Sequence, residues 1–266
     1  MPPSDLTKAV HRDVLAMLDG LPDAKKLENA LRHLSKWRAA LLENTLATRE
    51  GRQVLSGPFK GMNYDIRATE GAAPARLIGC YEASLTPIFE QIIARAYPVI
   101  MDIGCAEGYY AVGLARQMPQ TTMMAFDTNP KAQEACARLA AINGVADRIT
   151  IGGTVGHDDF ARCRDADTLI LCDIEGAENA LLDPDKAPDL KHADILVEVH
   201  DCFNPGLSER IAKRFERSHA VTLIGRSVDT GALPDWMEEL SDLDRLLALW
   251  EWRIGPTPWL WMQANR

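Results

Sequence analysis

The sequence predicts an α/β protein: a doubly wound, mostly parallel sheet preceded by a helical N-terminal region. Three observations carry this. From residue 99 to residue 200, short apolar runs alternate with helical patterns. The runs VIMDI (99–103), TMMAFD (122–127), RITIGG (148–153), TLILCDI (168–174) and DILVEVH (194–200) are largely apolar on both faces, as strands covered by helices on both sides must be. The first run meets an acid, Asp102, and two glycines, Gly104 and Gly108, just where strand must give way to helix.

In chain order, residues 5–50 read as helical. Leu6, Val10, Val14, Leu15 and Leu18 recur at helical spacing. After a break at Gly20-Leu21-Pro22, Leu27, Leu31, Leu34, Leu41 and Leu42 resume the pattern. RQVLSGPFKGMNYDI (52–66) carries turn signals at Gly57-Pro58 and Gly61 and predicts a small hairpin or irregular extended stretch. Residues 76–96 return to helix, with Pro87 starting or kinking a turn. Within the alternating region, YYAVGLARQM and PKAQEACARLAAIN supply the helices between strands. Near the end, AVTLIGR (220–226) reads as a strand, SDLDRLLALWEW as a helix and PWLWMQA as a closing strand beginning at Pro258. The expected division is a helical extension with a short extended segment over 1–75, acting as lid or dimerisation element, and a sheet domain over 76–266.

Charge and composition narrow the function. A net charge of −9 argues against a nucleic-acid backbone as partner, since such binding relies on clustered Lys and Arg. No apolar run approaches the roughly 18 residues of a membrane span. The N-terminus lacks a basic stretch followed by an apolar one, so a cytoplasmic location is expected. The six cysteines form no CxxC pair and sit mostly in apolar segments, which indicates neither a zinc site nor a disulfide framework.

In an open parallel sheet, ligands bind beyond the carboxyl ends of the strands, at the first strand-to-helix turn. Gly104 and Gly108 permit positive φ and a close backbone approach there. The string Asp102-Ile103-Gly104-Cys105-Ala106-Glu107-Gly108 spaces its glycines as G-x-x-x-G among acids. Acids at 102 and 107 suit a cationic ligand better than a diphosphate. The second strand then ends at Asp127, where a carboxylate can accept ribose hydroxyls. A second reading of the same residues is structural: the glycines shape a turn and Asp127 caps the helix from Pro130.

The acid-x-Gly-x-x-x-Gly stretch resembles the first motif of class I S-adenosylmethionine-dependent methyltransferases. That resemblance implies a Rossmann-like sheet ending in an antiparallel C-terminal strand, S-adenosyl-L-methionine as cofactor, and a cofactor site built from Asp102, Gly104, Ala106, Gly108 and Asp127. It places Thr154, at the end of the third strand, beside the adenine, with an ordinary turn hydroxyl as the other reading. The strings DIEGAE and VEVH resemble the FkbM-like methyltransferases, implying a small-molecule acceptor methylated at oxygen, with nitrogen or a protein side chain as alternatives. The strand ends deliver Asp173, Glu175 and Glu178, then Glu198, His200 and Asp201, to one sheet edge.

His200 is the candidate base, tuned by carboxylates such as Glu175, with Asp173 alongside; its other reading is a strand-end residue bonded to a carbonyl. Glu178 reads as a first-turn acid of the next helix. Asp173 and Asp201 are placed like the acids of divalent-cation-dependent catechol-type O-methyltransferases. Cys202, however, stands where that family has Asn, and no metal is assigned. Tyr81 and Glu82 touch the methionine end or the acceptor if the N-terminal region folds over the cofactor. Trp236, Trp250, Trp252, Trp259 and Trp261 read as core packing. A small-molecule partner, no nucleic acid, no membrane and a homodimer through the helical extension complete the expectations; a cofactor-consuming cyclase or lyase is the alternative chemistry.

Overall fold

The structure is a computed structural model and describes residues 4–66 and 73–266; residues 1–3 and 67–72, which the N-terminal extension was expected to include, lie outside it. Helix α1 (Asp5–Leu18) opens the chain, capped by Ser4, whose side chain accepts from the Thr7 amide. Asp23 caps α2 (Ala24–Glu50) in the same way. The 52–66 stretch forms a minimal hairpin: Gln53 bridges Asn63, and the Val54 amide donates to the Met62 carbonyl at 2.9 Å.

The helix expected over 76–96 is two helices, α3 (Ala73–Ile78) and α4 (Thr86–Arg95), and Pro87 sits in the first turn of α4, where its missing N–H costs nothing. Strand β1 (Val99–Ile103) leads to α5 (Tyr109–Gln117), β2 (Thr122–Phe126) to α6 (Pro130–Ile142), and β3 (Ile149–Gly152) follows. Then come β4 (Thr168–Cys172), the short α7 (Glu178–Leu181), β5 (Asp194–Glu198), α8 (Leu207–Phe215), β6 (His219–Ile224), α9 (Asp242–Ala248) and β7 (Trp259–Ala264).

The strands form one seven-stranded sheet in the order β3-β2-β1-β4-β5-β7-β6. The first five run parallel; β7 is antiparallel to β5, and β6 antiparallel to β7. This is the Rossmann-like, doubly wound sheet with an antiparallel C-terminal strand. Its order reverses between β1 and β4, so the carboxyl ends there open a crevice. Asp102 pairs in register with Leu171, and Ile103 with Cys172, bringing the glycine turn after β1 beside the segment after β4.

Side chains alternate faces along each strand. Ile100 packs with Phe89, Leu114 and Tyr64 on one face, while Met101 packs with Phe160, Ile211 and Phe215 on the other. A third cluster ties α2 to the rest: Leu42 and Leu46 bury against Ile78, Met237, Leu247 and Ala248. Arg38 locks the same seam with two 2.6 Å hydrogen bonds to Asp244 on α9.

The apolar periodicity of the first 50 residues is only partly spent on this core. Leu15, Leu21, Leu27 and Leu31 are more than half exposed, and α2 buries Ala30, Ala39, Leu42 and Leu46 instead. The expected helix over 241–252 also stops early, at Ala248, and Trp250 to Trp252 continue as loop.

Candidate active site

Two cavities meet at the carboxyl edge of β1 and β4, sharing Gly104, Asp173 and Glu175 in their walls. The first, about 420 Å³, lies towards α2 and the loop before β7; the second, about 550 Å³, lies over the ends of β2 and β3.

The turn between them is tightly built. Gly104 has φ +87°, and a Cβ there would stand 1.6 Å from the Asp173 carbonyl oxygen, so no side chain fits. Its amide and that of Cys105 both donate to the Phe126 carbonyl, at 2.8 and 2.9 Å. Asp127 secures the turn from the other side: its Oδ2 accepts from the Ala106 amide at 3.0 Å, its Oδ1 from the Asn129 amide at 2.7 Å. Helix α6 is capped by Asn129 instead, so the capping role considered for Asp127 falls to its neighbour. Asp127 and Thr154 line the second cavity with the apolar side chains of Phe126, Val155, Ile174 and Leu181. Gly108 begins α5 with φ +90° against Cys136 and does not itself reach either cavity.

The floor of the first cavity is acidic. Asp102 is 2% exposed, and its Oδ2 has no hydrogen-bond partner. Burial, then the neighbouring charge of Asp173, pushes its carboxyl up to about 7. Asp173 Oδ1 is likewise buried without a hydrogen-bond partner, and burial followed by the charge of Glu82 pushes this carboxyl up to about 7 against the opposing pull of His200. Two carboxyls held near neutrality in this way are short of a cation.

Glu107, expected to join them, is spent elsewhere. It is fully buried, pairs with Arg76 at 2.8 Å and accepts from the Tyr64 hydroxyl at 2.7 Å, so its charge is answered inside the protein. A buried acid paired by a buried Arg braces the turn and leaves no charge for a ligand.

His200 is 3% exposed at the end of β5. Its Nδ1 lies 2.9 Å from Glu178 Oε1, which also accepts from the Ile174 and Gly176 amides. Those bonds outweigh burial and hold the Glu178 carboxyl below its usual value. An ionised Glu178 makes Nδ1 the donor and leaves Nε2 to face the cavity, 3.4 Å from Glu175 Oε2 and 3.7 Å from Asp173 Oδ1. Burial disfavours the imidazolium, but the Glu178 hydrogen bond and the charges of Asp173, Glu178 and Glu175 prevail and raise the His200 pKa. Glu178 is therefore both a loop brace and the orienter of His200, and its reading as a first-turn acid announced neither role.

Asp201 turns away. It accepts from the amide and hydroxyl of Ser208, at 3.0 and 2.6 Å, at the start of α8. The acid pair Asp173 and Asp201 is thus not a metal site. The donor atoms that do converge, within 4.8 Å, belong to Asp173, Glu175 and His200, and they have the chemistry to share a divalent cation.

The remaining wall joins an expected residue, Tyr81, to others that were not expected. Arg253, on the loop before β7, is hydrogen-bonded to Glu82, Glu198 and Glu251, so one guanidinium answers three acids. Burial, then the charge of Glu82, pushes Glu251 up to about 7. Glu82 also accepts from the Tyr110 hydroxyl at 2.8 Å and stands behind the wall, whereas Tyr81 lines the cavity with Arg76 over its ring at 4.3 Å. Trp259 and Trp261 are core residues on β7, as expected, but Trp252 lines the first cavity. No sequence signal places Arg253 here, because its partners lie on three separate segments.

No family model matches the chain, and no curated protein matches it. Solved structures do. The O-methyltransferase TomG from Streptomyces achromogenes, involved in tomaymycin synthesis and solved with S-adenosylmethionine, has TM-score 0.44 and 14% identity over 99% of this chain and 100% of its own. An O-methyltransferase from Bacillus cereus in complex with S-adenosylhomocysteine has TM-score 0.43 and 12% identity over 96% and 97%. A precorrin-6y C5,15-methyltransferase from Geobacter metallireducens has TM-score 0.45 and 14% identity over 68% and 89%.

Proposed function

We propose that the protein is an S-adenosylmethionine-dependent methyltransferase acting on an oxygen of a small molecule. The observation that carries this is the pair of buried carboxyl oxygens without hydrogen-bond partners, Asp102 Oδ2 and Asp173 Oδ1, at the seam of two cavities joined over a glycine turn. A ligand with a nucleoside at one end and positive charge at the other answers both halves: Asp127 and the apolar walls suit the nucleoside, and the acids, of which only Asp173 has a cationic neighbour in His200, suit a sulfonium and an ammonium. The FkbM-like resemblance of DIEGAE and VEVH supports oxygen as the accepting atom.

When bound, S-adenosylmethionine supplies a methyl group whose carbon–sulfur bond breaks towards sulfur as the acceptor oxygen takes the carbon. His200 takes the acceptor's proton at Nε2, because Glu178 fixes Nδ1 as the donor. Glu175 and Asp173 flank the imidazolium that results and offset its charge. Gly104 and Asp173 line both cavities, so cofactor and acceptor would meet over them, and holding two reactants in place is where an in-line displacement gains most.

The reading includes a small acceptor as sole substrate partner and a cytoplasmic location, supported by the six free cysteines. It also includes pairing of two copies through the leucines exposed on α1 and α2. No helix among the described residues is long and apolar enough to cross a membrane.

The test is calorimetric titration with S-adenosylmethionine and S-adenosylhomocysteine, with mass spectrometry of the incubated cofactor. Micromolar binding is expected, weakened at least ~10-fold, or ~1.4 kcal/mol, in Asp127→Ala. Absence of binding to folded protein overturns the reading. Cofactor consumed without acceptor points instead to a cyclase or lyase. The cluster of Asp173, Glu175 and His200 favours a second reading, cation-assisted deprotonation. Turnover is expected to survive EDTA; its loss, restored by Mg²⁺, establishes the second reading.

A further inference from the structure

The first cavity is lined by charge of both signs. Four of its acids, Asp102, Asp173, Glu175 and Glu198, lie at or just beyond the strand ends; the other two, Glu107 and Glu251, are held by Arg76 and Arg253. Two of its cations are committed, Arg76 to Glu107 and Arg253 to Glu82, Glu198 and Glu251. The other two, Arg32 and Lys36, come from α2, one turn apart on one face. Among the described residues neither forms an ion pair. Arg32 donates to the Trp252 carbonyl and lies 5.4 Å from the Trp250 ring; Lys36 stands 4.3 Å over the Trp252 ring. Burial, and then the charge of Arg32, lowers the Lys36 pKa, as expected for two cations set side by side with no anion between them. Arg38 pins this part of α2 to Asp244, so the pair is presented on a fixed element.

On the methyltransferase reading, we infer that Arg32 and Lys36 bind a carboxylate of the acceptor, making the substrate class a small hydroxy acid with an aromatic or apolar body. The acidic floor repels a carboxylate and the α2 side attracts it, so the molecule is oriented with its uncharged hydroxyl end towards His200. The lining also offers apolar surface from Tyr81, Trp252, Ile254 and Phe203, the last stacked on His200 at 5.7 Å. A neutral or cationic acceptor would leave both α2 cations unanswered. The cofactor's own carboxylate is the other source of this chemistry, and the experiment separates the two.

Wild-type protein, Lys36→Met and Arg32→Met are saturated with S-adenosylhomocysteine and titrated calorimetrically with 4-hydroxybenzoate, 4-hydroxyphenylacetate and 3-hydroxybutyrate, each paired with its amide. Methionine keeps an apolar stem against tryptophan and removes the charge; in Arg32→Met the hydrogen bond to the Trp252 carbonyl goes as well, so Lys36→Met is the cleaner variant. Expected is a preference of at least ~10-fold for one acid over its amide in wild type, falling to within ~2-fold in Lys36→Met, with S-adenosylhomocysteine affinity unchanged. No acid preferred over its amide, or a preference that survives both substitutions, overturns the proposal. So does weakened binding of S-adenosylhomocysteine in Lys36→Met with 5′-methylthioadenosine unaffected, which assigns the cations to the cofactor carboxylate. If wild type binds no S-adenosylhomocysteine at all, the underlying methyltransferase reading fails, a result distinct from these.

Discussion

His200 sits where burial and charge pull its proton in opposite directions, and charge prevails. A base with a raised pKa is protonated, and idle, until the pH passes that value, so turnover rises with pH through a midpoint above the usual imidazole range. In Glu178→Gln the midpoint moves to lower pH, because an anion bonded to Nδ1 is gone, while the maximal rate falls because the tautomer is no longer fixed. In His200→Ala the maximal rate falls by ~10²-fold or more with cofactor affinity retained. A pH profile of kcat checks both.

Asp102 has the opposite consequence for the empty protein. Its folded pKa, about 7, exceeds the unfolded value, so its contribution to stability is full at low pH and is lost as pH rises through about 7. Cofactor affinity moves the other way, strengthening as Asp102 ionises. Asp102→Asn is expected to weaken cofactor binding and to flatten its rise between pH 6 and 8, measured by calorimetry in ~one-unit steps. Asp102 and Asp127 were readable because one lies in the last pleat of the first apolar run and the other directly follows the second, which fixes both near the sheet edge. Glu107 was misread because its partner, Arg76, is distant in sequence and no local pattern announces the pair.

At the scale of elements, the turn after β1 carries the site more than either flanking element does. In Gly104→Ala the new methyl collides with the Asp173 backbone, and the positive φ alone costs ~1–3 kcal/mol. The expected outcome is loss of cofactor binding together with a urea midpoint lowered at constant slope. Strands β1 to β5 were legible because buried parallel strands are largely apolar; β5 is buried along its length and charged only at its ends, where Asp194 and Glu198 pair with Arg95 and Arg253. The helices were less so. The run from 76 to 96 looks continuous, but its backbone breaks between α3 and α4. The leucine periodicity of α1 and α2 marks an apolar stripe without saying what covers it, and much of it faces outward. Helix α8 has small apolar content for its length and was passed over, although Leu207, Ile211 and Phe215 make one fully buried face.

For the molecule as a whole, the sequence conveyed the layered architecture but not the closure of the first cavity. That wall is assembled from α2, the turn before α4, the end of β5 and the loop before β7, and only tertiary packing brings them together. The same packing bears on how the chain unfolds. Leu46 is 1% exposed and Leu42 3%, and both bury against Ile78, Met237 and Leu247, so the C-terminal half of α2 shares a core with the sheet domain. An extension that folded as a separate unit would melt separately. Shared burial instead predicts one calorimetric transition, with equal calorimetric and van't Hoff enthalpies. Leu46→Ala should lower the whole transition, by ~2–5 kcal/mol of stability, without splitting it. Truncation of α1, which packs along α2 away from both cavities, should leave cofactor affinity unchanged. Two resolved transitions in wild type, the first alone shifted by Leu46→Ala, would show that the helical region is an independent unit and that α2 is free to move over the site as a lid.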